Sequence, residues 1–287
     1  MFGFCSIGSE GSRIKTMRTH QNLPDASRLS IVSATILLAY AVTPFIYLPA
    51  RAFAIQLPGF FFQVQLPLTS VVSFIAAVLA TAGADWLIQS HPRMGSQSRV
   101  PHWILPALTA WVIGVPLARL EVGPQWWVVF TLGGILFLVV LLSEYVVVDP
   151  IDVRSGPATI ALTSVSFALF LVLATSVNAS GLRLYGILAA LVPAIFLVSL
   201  RTMFLRIGGQ WYWGWALGIA MVVGEVAAGL NYWPISALRY GLLVLALSYS
   251  LTSAANHLVE GQKSWSAWSG PLAMFIILFG LAMLLPV

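Results

Sequence analysis

The chain has 287 residues, of which 59% are hydrophobic and only 8% are charged, and its formal net charge is +5. A soluble domain has about 25% charged residues, so the charges of this chain cannot cover a water-facing surface. The composition excludes an ordinary cytosolic enzyme, a disordered protein and a nucleic-acid-binding protein. It indicates an integral membrane protein.

Apolar runs of roughly 20 residues, the length that crosses a bilayer, follow one another along the chain. They lie near 29–48, 65–88, 102–119, 126–148, 158–177, 183–203, 211–230, 234–256 and 268–286. The predicted fold is all-α, a polytopic transmembrane helical bundle of about nine spans. The linker 206–210 is short, so an eight-span count stays open. The linkers are too short for a second domain, which leaves a basic tail, 1–28, and one transmembrane domain, 29–287.

The distribution of basic residues predicts the orientation. With the N-terminus in the cytoplasm, the outer side receives only Arg51, Arg119, Arg183 and Arg239, and every other Lys and Arg lies inside. This asymmetry satisfies the positive-inside rule and places the C-terminus outside. The longest outer linker, 49–65, is apolar and aromatic, and we expect it to lie at the interface or to re-enter the membrane.

One acidic residue lies deep in an apolar run, where a charge is costly and is a functional hypothesis by default. Glu225 precedes the turn near Tyr232 by as many residues as Arg239 follows it. At about 1.5 Å per residue the two side chains have similar depth. We therefore predict an intramembrane ion pair, either a structural salt bridge or part of a gate or ion-coupled site.

A second set of polar residues lies at the cytoplasmic ends of the predicted spans. Its members are Asp85, His102, Glu144, Asp149 and His257. Carboxylates beside imidazoles can relay protons or bind a metal. Their spacing fits no metal motif, so helix-end polar residues and caps are the alternative.

The outer side is rich in arginine relative to acid, and planar guanidinium groups suit phosphate or carboxylate recognition. Arg51, Arg119 and Arg183 are therefore candidates for an anionic ligand, with isolated snorkelling side chains as the alternative. The chain has no P-loop, a single cysteine, and lysines only at 15 and 263. We predict no catalytic residue, no metal and no cofactor.

Four stretches carry a family resemblance, and they lie at 84–92, 101–108, 143–150 and 231–239. Together they resemble a family of polytopic bacterial membrane proteins of unknown function (a domain of unknown function), typical of Chloroflexi. The resemblance covers most of the chain from about Leu29. It implies a bacterial cytoplasmic membrane and a helical fold, and it implies no activity.

Three functional classes follow. The first is a non-enzymatic membrane protein that carries or gates a small solute or ion. The second is an accessory or scaffolding subunit of a larger bacterial membrane complex, and the third is a membrane enzyme that acts on a lipid with His102 or His257 as base. The expected partners are membrane lipids and other transmembrane chains, either different subunits or a second copy, with no nucleic acid.

Overall fold

The computed structural model describes residues 24–46, 51–57, 60–66, 68–91, 98–262 and 264–285. Within these ranges the chain forms nine α-helices and one β-hairpin. They are α1 (Ala26–Val42), β1 (Arg51–Leu57), β2 (Phe60–Leu66), α2 (Leu68–Gln89), α3 (Ile104–Leu117), α4 (Pro124–Val147), α5 (Ser155–Asn178), α6 (Leu184–Arg206), α7 (Trp213–Asn231), α8 (Ala237–Val259) and α9 (Ser264–Leu284). Most of the predicted 1–28 tail lies outside the described residues.

Eight helices in the described part of the chain, α1 to α8, are long and apolar enough to cross a membrane. The apolar stretch described for α9, Trp268–Leu284, is shorter. The helix bounds follow the apolar runs of the sequence, which confirms the helical fold. The length and composition of these eight helices are compatible with an integral membrane protein. Large apolar side chains such as Phe74, Ile160 and Ile276 lie exposed on the outer surface, as expected for helices whose solvent is lipid.

The helix α3 lies between two apolar cores. Ala110 and Ile113 pack with α1, α2 and α4 in one core. Leu108 and Val112, on another face of α3, pack with α5, α6, α7 and α8 in the other. A helix that is apolar on all sides is suited to such a buried position, and α3 has the largest buried share of the eight candidate spans.

Close helix contacts depend on small residues, as is usual where lipid removes the hydrophobic drive between helices. Ala76 and Ala80 on α2 have no exposed surface. A Cβ atom on Gly241 of α8 would lie 2.3 Å from Cγ2 of Thr175 on α5. Only a glycine therefore lets these two helices approach so closely.

Two helices correspond to the sixth and seventh apolar runs. Gly208 and Gly209 follow α6 with φ angles of 70° and 86°, a conformation that side chains with a Cβ disfavour. The amide of Gly209 donates to the carbonyl of Phe204 at 3.0 Å, which ends α6 as a helix C-cap. The short linker 206–210 therefore ends α6 and separates it from α7, so the two apolar runs form two helices.

The outer linker departs from the all-α prediction. Its residues form an antiparallel hairpin in which Arg51 pairs with Leu66 and Leu57 pairs with Phe60. Aromatic and β-branched residues favour strands, and the dipeptide Pro58-Gly59 between the strands is a turn signal. The expectation that this stretch lies at the interface or re-enters the membrane did not include a hairpin, and it stays a prediction.

Helix α9 runs antiparallel along α8. The hydroxyl of Ser250 donates to the carbonyl of Pro271 at 3.0 Å, and Arg239 donates to the carbonyl of Ala282 at 3.0 Å. The two contacts are 11 residues apart on α8 and 11 residues apart on α9. Helix α9 therefore follows α8 over most of its length.

One end of the bundle, which we call the basic end, is where α2, α4, α6 and α8 finish. Side-chain contacts join these helix ends to one another and to the starts of α1 and α3. Five arginines of the described residues lie there, namely Arg28, Arg99, Arg154, Arg201 and Arg206. The candidate site described next is at this end.

Candidate functional site

Three charged or titratable side chains meet inside the basic end. Glu144 lies in the last turn of α4, Arg201 lies one turn and a half before the end of α6, and His102 lies in a short 3₁₀ turn, Val100–Trp103, that leads into α3. The amide of His102 donates to the carbonyl of Arg99 at 3.0 Å. This turn directs the imidazole inward, toward the other two side chains.

The guanidinium of Arg201 binds the Glu144 carboxylate through two nitrogens. Nη2 donates to Oε2 at 2.5 Å, and Nε donates to Oε1 at 3.3 Å. The Arg201 side chain has no exposed surface and that of Glu144 is 1% exposed. A buried pair of this kind needs such two-point geometry, because both charges have lost their hydration.

The imidazole of His102 completes the cluster. Its Nδ1 atom lies 2.7 Å from Oε2 of Glu144 and 3.4 Å from Nη2 of Arg201. Because a carboxylate only accepts, Nδ1 carries a proton and donates to Glu144. His102 and Arg201 thus share one carboxylate oxygen, and Nε2 of the imidazole is left for another partner.

The remaining nitrogen of Arg201 is the unusual feature of the cluster. Nη1 is buried and has no hydrogen-bond partner among the described residues. The Phe204 ring lies 5.5 Å from the guanidinium carbon, which offers a cation–π contact but no acceptor. Leaving a buried donor unpaired costs about 1–3 kcal/mol, more for a charged group, so this atom needs an acceptor.

A cavity of about 670 Å³ adjoins the cluster. His102 and Arg201 belong to its wall, together with the hydroxyl-bearing residues Ser155 and Thr159. The exposed residues of the wall come from three linkers of the basic end, and they are Ser98, Pro150, Gly208 and Gly209. The cavity therefore opens among these linkers, with the Glu144–Arg201 pair behind it.

The other residues of the predicted polar set lie elsewhere at the same end. Asp85 accepts from Gln89 at 2.5 Å and from the Trp103 indole at 3.2 Å. Asp149 accepts from the amide of Ile151 at 3.1 Å, which is a local turn contact. The five residues thus do not form one cluster, and the structure brings together only His102 and Glu144.

His257 belongs to a separate, more exposed group. Its Nδ1 lies 3.2 Å from Nη2 of Arg206 and 3.8 Å from Oε2 of Glu260. Arg206 donates from Nε to Glu260 at 2.7 Å. The group joins the ends of α6 and α8 at the surface. No three His, Cys, Asp or Glu side chains in the described ranges are grouped as a metal ion requires.

The predicted ion pair between Glu225 and Arg239 is absent, although the structure describes both residues. Glu225 is exposed on the outer face of α7, whereas Arg239 donates to the carbonyls of Ala282 and Leu285 at the end of α9. Equal depth was inferred from sequence spacing, but the two side chains leave their helices in different directions. The unpaired carbonyls of a helix C-terminus are a good partner for a guanidinium.

The three arginines predicted to hold an anion lie at the opposite end of the bundle. Arg119 follows α3 and is exposed, and partial desolvation lowers the pKa of its guanidinium. Arg183 is exposed and precedes α6. Arg51 begins β1, and its side chain lies outside the described part of the structure.

The sequence analysis missed Arg201 as a site residue and counted it only among the basic residues of the cytoplasmic side. Its position inside the sixth apolar run, 183–203, was the available signal, because a charge within such a run is a functional hypothesis.

The chain belongs to a family described as a protein of unknown function (DUF5656), which matches residues 48–285. This match confirms the part of the resemblance that concerned a family of unknown function over most of the chain. The comparisons with curated proteins and with solved structures found no match.

Substitution of Glu144 tests the burial of the pair. We expect Glu144→Gln to lower the free energy of unfolding in mild detergent by about 3–5 kcal/mol, because Arg201 would be left charged and unpaired. The matched control is Glu260→Gln, which breaks the exposed pair with Arg206 and costs about 0–1 kcal/mol. Equal losses in the two variants would contradict the buried pair.

Proposed function

We propose that the protein is a multi-pass protein of the bacterial cytoplasmic membrane that binds a small oxyanion at its basic end. The observation that carries this proposal is the buried Nη1 atom of Arg201, which has no acceptor among the described residues and belongs to a side chain in the wall of a cavity. Guanidinium groups suit phosphate and carboxylate oxygens in particular. The oxyanion is either a free solute or the charged group of a larger molecule.

The imidazole of His102 can add a contact to the ligand. Its Nδ1 atom donates to Glu144, so Nε2 of the same ring is an acceptor. A protonated oxyanion such as dihydrogen phosphate can donate to Nε2 while its other oxygens accept from Arg201.

The orientation supports a cytoplasmic site. Arg28, Arg99, Arg154 and Arg206 lie at the basic end, as the positive-inside rule requires of the cytoplasmic side. The antiparallel run of α9 along α8 supports a ninth span, with the C-terminus on the outer side. The cytoplasmic location of the basic end is inferred from charge, and the ninth span is inferred from the packing of α9 on α8.

A solute carrier must first bind its solute. We therefore propose, beyond oxyanion binding itself, that the protein carries the bound oxyanion across the membrane. The enzyme alternative has one favourable feature, since a carboxylate that holds Nδ1 of an imidazole orients Nε2 as a base. The structure identifies no substrate for the carrier or for the enzyme. Both alternatives require the same oxyanion-binding step.

The binding step is tested by thermal unfolding of the purified full-length protein in detergent, with sodium phosphate against sodium chloride at equal ionic strength. We expect phosphate to stabilise the wild type by about 2.7 kcal/mol when its concentration is 100 times the dissociation constant. The variant His102→Asn keeps the Glu144–Arg201 pair, and we expect it to lose most of this gain.

The matched control is His257→Asn, at the exposed histidine beside Arg206. Phosphate also stabilises proteins in general by exclusion from their surface, and that part of the effect is the same in both variants. The proposal is wrong if His102→Asn and His257→Asn retain equal phosphate stabilisation.

The outer face of α7 supports a second candidate function, that of a subunit in an assembly of several copies of the chain. Glu225 is exposed there together with Gly214, Gly218 and Gly229, and nothing lies within 4 Å of a Cβ built on any of the three glycines. A lipid-facing carboxyl is costly. Small residues let a second helix approach closely, and a second copy packed on this face would cover Glu225.

Light scattering in mild detergent tests this second candidate. We expect particles with two chains for the wild type, and association about tenfold weaker for Gly218→Leu, which corresponds to about 1.4 kcal/mol. Gly280→Leu on α9 is the control, because a Cβ there also has no neighbour within 4 Å. A wild type that contains a single chain over the whole concentration range would exclude the dimer.

A further inference from the structure

A second cavity, of about 690 Å³, lies beside α8 at the depth of the helices. Residues of α8 form its floor, residues of α5 and α9 form its two sides, and Thr202 and Arg206 of α6 close it toward the basic end. We call it the lateral groove. It shares Thr159 with the cavity beside Arg201, but its other wall residues are different.

The polar end of the lateral groove contains an amide oxygen without a partner. Asn256 is 2% exposed, and its Oδ1 atom is buried with no hydrogen bond to any described residue. A buried acceptor that stays unpaired destabilises the folded protein. An amide offers both a donor and an acceptor, so Asn256 is suited to a polar group of a molecule that occupies the groove.

Arg206 adds a positive group at the same end. Its Nε and Nη2 atoms contact Glu260, whereas no described residue accepts a hydrogen bond from Nη1. The side chain is 38% exposed, and it lies at the end of α6, where an interfacial headgroup would be. Arginine binds phosphate well because its donors are arranged as a planar fork.

The rest of the groove is apolar and elongated. Phe167, Leu171, Leu245 and Leu278 contribute to its wall. From Leu245 to Asn256 the groove follows α8 for eleven residues, which at about 1.5 Å per residue is roughly 16 Å. An extended apolar channel with its polar groups at one end matches an amphiphile that lies parallel to the helices.

The groove is accessible from the side. Ile160, Ser164 and Ala168 of α5 belong to its wall and are exposed on the outer surface of the bundle. In a membrane this surface faces lipid. A molecule can therefore enter from the bilayer without passing through the protein.

From this arrangement we infer that the lateral groove is a binding site for one bilayer phospholipid. One acyl chain lies against Phe167, Leu171 and Leu245, and the phosphate lies beside Arg206. Oδ1 of Asn256 accepts a hydrogen bond from a hydroxyl or ammonium group of the head. The site uses Asn256 and Arg206 instead of His102 and Arg201, so its test is separate from that of the oxyanion proposal.

Native mass spectrometry of the full-length protein tests this site, with dipalmitoyl phosphatidylglycerol and dipalmitoyl phosphatidylethanolamine as the probes. After delipidation in detergent, we expect the wild type to rebind one phospholipid per chain. Ala168→Trp places a large side chain in the side opening, and we expect at least tenfold weaker rebinding. Asn256→Leu removes the amide, and we expect a loss of about fivefold to tenfold.

The matched control is Ala82→Trp, an exposed alanine on α2 that does not belong to the groove. Ala168 and Ala82 both face outward, so neither substitution disturbs the core, and size-exclusion chromatography checks that both variants fold. Weaker rebinding in Ala168→Trp but not in Ala82→Trp supports the site. Equal rebinding in all four proteins, or a wild type that retains only detergent, overturns it.

Discussion

The buried pair of Arg201 and Glu144 constrains how this bundle is assembled. It joins the ends of α4 and α6, with Nη2 of Arg201 2.5 Å from the carboxylate, and His102 attaches the start of α3 to the same oxygen. Two charges without hydration are tolerated only when each finds the other in good geometry. The packing of α3 between two apolar cores therefore also fixes the relative positions of three polar side chains.

The geometry of the pair supports the proposed oxyanion site. Glu144 occupies the Nε and Nη2 atoms of Arg201, which leaves Nη1 buried and without an acceptor among the described residues. A strained or unpaired group that the surrounding structure maintains is typical of functional sites. A salt bridge that served stability alone would be expected to satisfy all of its donors.

Much of the fold could be predicted because depth in a membrane is encoded by hydropathy along the chain. The nine helices follow the nine apolar runs, and even the short turn at Gly208 and Gly209 separates two of them. The hairpin at Arg51–Leu66 was not predicted, since its aromatic content favours both an interfacial position and a strand. Sequence spacing gave helix ends to within a few residues, which is the usual limit of such patterns.

The candidate site could be predicted only in part, because spacing gives depth but not the direction in which a side chain leaves its helix. Glu225 and Arg239 have similar depth, yet one faces outward and the other binds the end of α9. His102 and Glu144 were both named from the sequence, but their contact depends on how α3 and α4 pack. Arg201, the third member, was recognisable only as a charge inside an apolar run.

The two cavities divide the basic end into a polar and an apolar compartment. Thr159 belongs to both walls, with the Arg201 cluster on one side and the lateral groove on the other. A bound phospholipid would therefore lie next to the oxyanion site without blocking the linkers at which that cavity opens. This arrangement is consistent with a membrane protein that binds an oxyanion and a phospholipid at the same time.

The most direct test of the account is an experimental structure of the full-length protein, determined in phosphate at a resolution that shows side chains and bound ions. The account predicts a side-on contact between Arg201 and Glu144, Nδ1 of His102 on the same carboxylate, and density for an oxyanion within hydrogen-bond distance of Nη1. A guanidinium that instead turns Nη1 onto a carbonyl of the protein, with an empty cavity, would contradict it.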